Sequence, residues 1–185
     1  MILGIIASGI TKSKIATNSY ESIATVTVGA GGTSSATFSS IPNTYSHLQV
    51  RAFARTDRAT TTDTLFVKIN SDTANYYTHG LYGTGSTAAA YSDTTNPTYF
   101  SVAAGSSVGS NVFAVAVWDL LDYASTNKYK TIRVLHGYDD NGSGTIRLTS
   151  SLWASTSAIT SLTIQGTSSQ NLAQYSHIAL YGIKA

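Results

Sequence analysis

From residue 20 to residue 183, apolar and polar positions alternate in short runs separated by Gly, Ser, Thr, Asn and Asp. A period of two places successive side chains on opposite faces of an extended chain, so the pattern predicts β-strands. Ala24, Val26 and Val28 point one way, a Gly-rich turn follows at 29–32, and Ala36 and Phe38 open the next strand. Leu48, Val50, Ala52 and Ala54 alternate with His47, Gln49, Arg51 and Arg55; Leu65, Val67 and Ile69 alternate with Phe66 and Lys68. Residues 111–121 (NVFAVAVWDLL) are apolar at both parities and predict a central strand covered on both faces. The pairs Ile132 and Val134, Ile146 and Leu148, Leu162 and Ile164, and Ile178 and Leu180 each mark a later strand.

About ten strands at this spacing predict an all-β, antiparallel β-sandwich of jelly-roll type over residues 19–185, preceded by a short N-terminal arm at 1–18. A helical period is nowhere sustained, and the helix candidates are single turns within 119–125 and near Thr73. The expected core is Val112, Ala114, Val115, Val117, Ile132, Val134, Leu148, Leu162, Ile164, Ile178 and Leu180. Residues 55–63 and 83–98 read as long loops, where a rigid sandwich usually carries binding. The arm is apolar at Ile2, Leu3, Ile5, Ile6 and Ile10 but differs from a signal peptide, because Lys12 and Lys14 follow the apolar run. It is also about half the length needed to span a bilayer, so no membrane insertion is expected. We read it as a docking arm.

Composition narrows the chemistry. Charged residues make up 11% of the chain, against ~25% in an average soluble protein. Net charge is +2, and its cations are scattered, so no nucleic-acid partner is expected. The chain has no cysteine, which removes disulfides, thiolate metal ligands and thiol nucleophiles together.

The candidate constellations are thin. Residues 139–144 (DDNGSG) imitate the first half of a calcium loop, but Ser150 stands where a bidentate Glu belongs, and Asn-Gly favours a hairpin turn. His47, His79, His136 and His177 lack a second ligand at metal-binding spacing; three of them lie in predicted strands and read as structural. The carboxylates Asp119 and Asp122 raise the question of glycoside hydrolysis, and a turn role is the stronger reading. Trp118 reads as core, and Trp153 as more open. Tyr76, Tyr77, Tyr82, Tyr91 and Tyr99, with His79, cluster in sequence around the 83–98 segment and form the candidate glycan or receptor contact. No catalytic residue, metal or cofactor is expected, and the protein reads as a non-enzyme.

Several segments carry a family resemblance: 20–32 (YESIATVTVGAGG), 39–59 (SSIPNTYSHLQVRAFARTDRA), 121–135 (LDYASTNKYKTIRVL), 151–164 (SLWASTSAITSLTI) and 174–185 (QYSHIALYGIKA). In this order they resemble small structural proteins of tailed bacteriophages, as does the opening MILGIIAS. The resemblance implies a virion component with a β-sandwich domain that forms a homotrimer. Such sandwiches serve on capsids and at tail tips alike; one compact domain with a short apolar arm and no repetitive or heptad stalk favours a place on the outer surface of the phage particle, as a capsid cement or decoration protein that stabilises the head. The arm would then dock on the major capsid protein or a tail protein. The alternative use of such sandwiches is a tail-fibre or tail-tip protein recognising host surface glycans.

Overall fold

The computed structural model describes residues 19–94, 99–167 and 170–184. The docking arm, with Ile2, Leu3, Ile5, Ile6 and Ile10, lies outside the described residues, as does the end of the 83–98 segment. The fold is all-β: two antiparallel sheets pack as a sandwich, and no α-helix occurs among the described residues. The strands are β1 (Tyr20–Thr27), β2 (Ser35–Phe38), β3 (His47–Ala54), β4 (Thr62–Ile69), β5 (Tyr76–Gly83) and β6 (Ala88–Asp93), followed by β7 (Tyr99–Ala104), β8 (Ala114–Leu121), β9 (Lys130–Asp140), β10 (Ser143–Trp153), β11 (Leu162–Gly166) and β12 (His177–Ile183). The larger sheet has eight strands in the order β1-β12-β3-β8-β9-β10-β5-β6; the smaller has four, β2-β11-β4-β7.

Period two places the core as expected on most strands. Leu48, Val50, Ala52 and Ala54 of β3 are buried, as are Ile132 and Val134 of β9, and Ile178 and Leu180 of β12. They meet Leu65, Val67 and Ile69 of β4 and Leu162 and Ile164 of β11 from the smaller sheet. Phe100 stands between two of the largest core rings, 6.0 Å from Tyr76 and 5.9 Å from Trp118. Asn141 and Gly142 both have positive φ (54° and 88°), the geometry of the Asn-Gly hairpin turn that joins β9 to β10.

Several expectations are corrected. Strand β8 is apolar at both parities but covered on one face: Ala114, Ala116, Trp118 and Leu120 are buried, whereas Val115 is exposed, and Val117 and Val112 are half-buried. Leu148, placed in the core by its apolar neighbours, also faces outward and is exposed. Trp153 is 2% exposed, with its indole N–H donating to Asp72 at 2.8 Å. In β1 the pairing register shifts between Ser22 and Ala24, so Ala24 is exposed while Ile23 and Val26 pack against the core. The 83–98 segment contains a strand, β6, paired antiparallel to β5 and forming the edge of the larger sheet.

The 55–63 segment is likewise not an open binding loop. Arg55 is buried and donates to the carbonyls of Val108, Gly109 and Val112, pinning the connection before β8. Asp63 is fully buried and accepts from Thr56 at 2.8 Å and from Arg58 at 3.0 Å. Buried charges with several partners hold such a connection in one conformation.

Candidate functional site: the outer face of the larger sheet

The smaller sheet covers one face of the larger; among the described residues no other strand packs on the opposite face. Pairing across β3, β8, β9, β10 and β5 aligns its outward side chains in rows that cross the strands. One row runs Phe53, Val115, Gly137, Ile146 and Gly83; the next runs Arg51, Val117, Leu135, Leu148 and Leu81. Most of these apolar side chains are well exposed: Ile146 by 64%, Leu81 by 59% and Leu135 by 56%. Val115, Val117, Leu135 and Ile146 from these rows wall a trough of about 470 Å³ whose floor is Gly137 and which Asp139 and residues 142–145 also line. A Cβ on Gly137 would come within 2.2 Å of the Thr145 carbonyl oxygen, so the residue stays glycine and the floor stays low. Single exposed apolar residues are ordinary, but a contiguous band on a rigid face marks a contact surface.

Further along the same strands the face becomes polar. The next row runs Tyr181, Gln49, Asp119, Arg133, Ser150 and His79. Here Asp119, Leu121, Asp122, Lys128, Tyr129, Thr131 and Arg133 line a second cleft, of about 610 Å³. Asp119 accepts from Gln49 at 2.8 Å, and Gln49 in turn accepts from Arg51 Nε at 2.8 Å. Arg51 lies 5.7 Å and 5.5 Å from the ring centres of Tyr20 and Tyr181, which fix it by cation–π contact. Asp122 closes the turn after β8 with a φ of 50° and pairs with Lys128, which holds its carboxyl below the usual range.

The tyrosine cluster expected from sequence is dispersed. Tyr76 is fully buried, and its hydroxyl accepts from the Ile69 N–H at 2.8 Å; burial pushes the phenol up to about 12. Tyr82 and Tyr91 turn to the inner face of the larger sheet, with ring centres 6.3 Å apart. Tyr91 hydrogen-bonds Thr149 at 2.7 Å and lies over Gly80, where a Cβ would meet its ring at 2.3 Å. Tyr77 and His79 face outward and are exposed. Tyr99 belongs to β7, in the other sheet. Alternation within β5 separates residues that adjacency in sequence had grouped.

His136 has a purely internal role. Its Nδ1 accepts from the Val102 N–H at 3.0 Å, which leaves Nε2 to donate to Thr149 Oγ1 at 2.9 Å. The neutral ring thereby ties β7 of one sheet to β9 and β10 of the other, and burial lowers its pKa to about 3. Among the described residues, no group of three or more His, Asp or Glu side chains is gathered as a metal site would require.

Sequence reasoning missed Phe53, Leu135, Tyr129 and Arg133 as surface residues of interest, and took Val115 and Leu148 for core. The available signal was an apolar residue at the wrong parity of a strand already supplied with inward residues, as at Phe53 and Leu135. Searches of protein-family models, curated proteins and solved structures find no match to this chain.

Proposed function

We propose that this protein is a non-enzymatic assembly component of a bacteriophage particle, of the capsid cement or decoration type, working as a homotrimer. The observation that carries the reading is the exposed apolar band of Phe53, Val115, Leu135, Ile146, Leu148 and Leu81. The sandwich core is complete without it, so the band is available for association. Its occupant in this reading is the same face of neighbouring copies. The two apolar rows carry a single charge, Arg51, and the trough adds one of opposite sign, Asp139, so faces packed about a symmetry axis would meet little like-charge repulsion. Cyclic closure would cover the band without open-ended growth. The edge strand β6 adds to this need, since its one charge is Asp93 and edges are normally guarded by charge. The phage setting itself rests on the sequence resemblance over residues 20–32, 39–59, 121–135, 151–164 and 174–185.

The test is a count of copies in a purified particle, together with re-addition of the protein to particles lacking it. A decoration role predicts copies on the scale of the capsid lattice and a gain in heat resistance on re-addition. A few copies per particle would instead favour the second reading, a tail-tip protein recognising host glycans. That reading draws on Tyr77 and His79, which stand exposed on the outer face. No copies at all would end both readings.

A further inference from the structure

We infer that the cleft lined by Asp119, Asp122, Lys128, Tyr129 and Arg133 is a binding site for a neutral saccharide. The site is distinct from the apolar trough, and its argument does not depend on where in a particle the protein sits. Its volume, about 610 Å³, falls within the ~300–1,000 Å³ common to small-molecule sites. Charge is balanced within it, two carboxylates against two cations, so neither an anion nor a cation gains a net field. Such a site suits a ligand dense in hydroxyl groups, each able to donate to a carboxylate and accept from a cation.

The carboxylate of Asp119 is set in position before any ligand arrives. Asp119 is oriented by the chain from Arg51 through Gln49, which engages Oδ1; no hydrogen bond from a described residue engages Oδ2. The side chain of Arg133, its cross-strand neighbour, makes no ion pair or hydrogen bond with a described residue, and its planar fork remains open for vicinal hydroxyls. Tyr129, 56% exposed, and Leu121, 55% exposed, supply apolar surface beside these polar groups. A pyranose has the same two-sided character, with C–H groups on one face and hydroxyls on its rim, and Tyr is suited to meet both. His79 lies two strands away in the same row, beyond Ser150, and is not needed.

The experiment is calorimetric titration and saturation-transfer NMR of the full chain with maltose, cellobiose, lactose and a mannose disaccharide. Sialyllactose and glucosamine serve as charged comparisons. Saturable binding of at least one neutral disaccharide is expected. Arg133→Gln and Tyr129→Ala should each weaken it about tenfold or more, roughly the loss of one good contact, with unchanged circular dichroism and melting midpoint. Lys68→Gln, on β4 of the smaller sheet, should leave it unchanged. Absence of saturable binding across the neutral panel would overturn the inference. So would binding indifferent to both cleft substitutions, or a clear preference for sialyllactose or glucosamine.

Discussion

The two faces of the larger sheet are built from the same strands and nearly the same residue types, yet they do different work. On β8, Ala114, Ala116, Trp118 and Leu120 face the smaller sheet and are buried, while Val115 and Leu121 face solvent. On β9, Ile132 and Val134 are fully buried while Leu135 is 56% exposed. Hydrophobicity alone does not separate the faces; the presence of a covering sheet does. Apolar residues on the uncovered face add little to the stability of one chain, and what they can stabilise is a contact with another molecule.

Mutations should divide along this line. The largest effect is expected inside: Trp118→Ala should cost about 3–5 kcal/mol and Ile132→Ala about 2–5 kcal/mol, read from urea unfolding. The outward substitution Leu135→Ala should fall within about 0.5 kcal/mol for the isolated chain. Equal losses at Ile132 and Leu135 would break the distinction between the faces.

Acid should act next, and through the inner face. The folded-state pKa of His136 is about 3, below the ordinary value of 6.5, so the unfolded chain binds the extra proton between those values. Its contribution to stability is present above about pH 6.5 and is lost progressively as pH falls towards 3. Asp72, held down first by Trp153, and Asp122, held down first by Lys128, add losses only as pH falls through the ordinary carboxylate value of 3.8, at the acid end of that window. A His136→Gln variant, less stable at neutral pH, should show a flatter stability profile between pH 6.5 and 4. An unchanged slope would mean that the ring is not held neutral.

The smallest effect concerns the β9–β10 turn. Replacing Asn141 by Ala puts a less tolerant residue at a φ of 54° and should cost about 1 kcal/mol. The trough beside the turn, being framed by paired strands, should keep its contact function.

The sandwich was legible in the sequence because period two survives along β3, β4, β9 and β12, where inward residues are apolar and outward ones mostly polar. It failed where outward residues are apolar as well. The run 111–121 gives no parity contrast, and only the one-sided placement of the smaller sheet decides which face is buried. Strand β6 escaped notice because small residues at Ala88, Ala89 and Ala90 carry no alternation and sit in a Gly- and Thr-rich stretch. The apolar trough and the polar cleft were illegible for a different reason. They are assembled across strands by register, bringing Asp119 beside Arg133 and Val115 beside Gly137, and register is not written in any one segment.

The central claim is that the apolar band of the outer face is an association surface. Sedimentation equilibrium of the full chain, compared with a Leu135→Lys/Ile146→Lys double variant, tests it most directly. The account predicts a trimer for the unaltered protein and a folded monomer for the variant, with the same circular dichroism. A trimer that survives both substitutions, or a monomer before either is made, would contradict it.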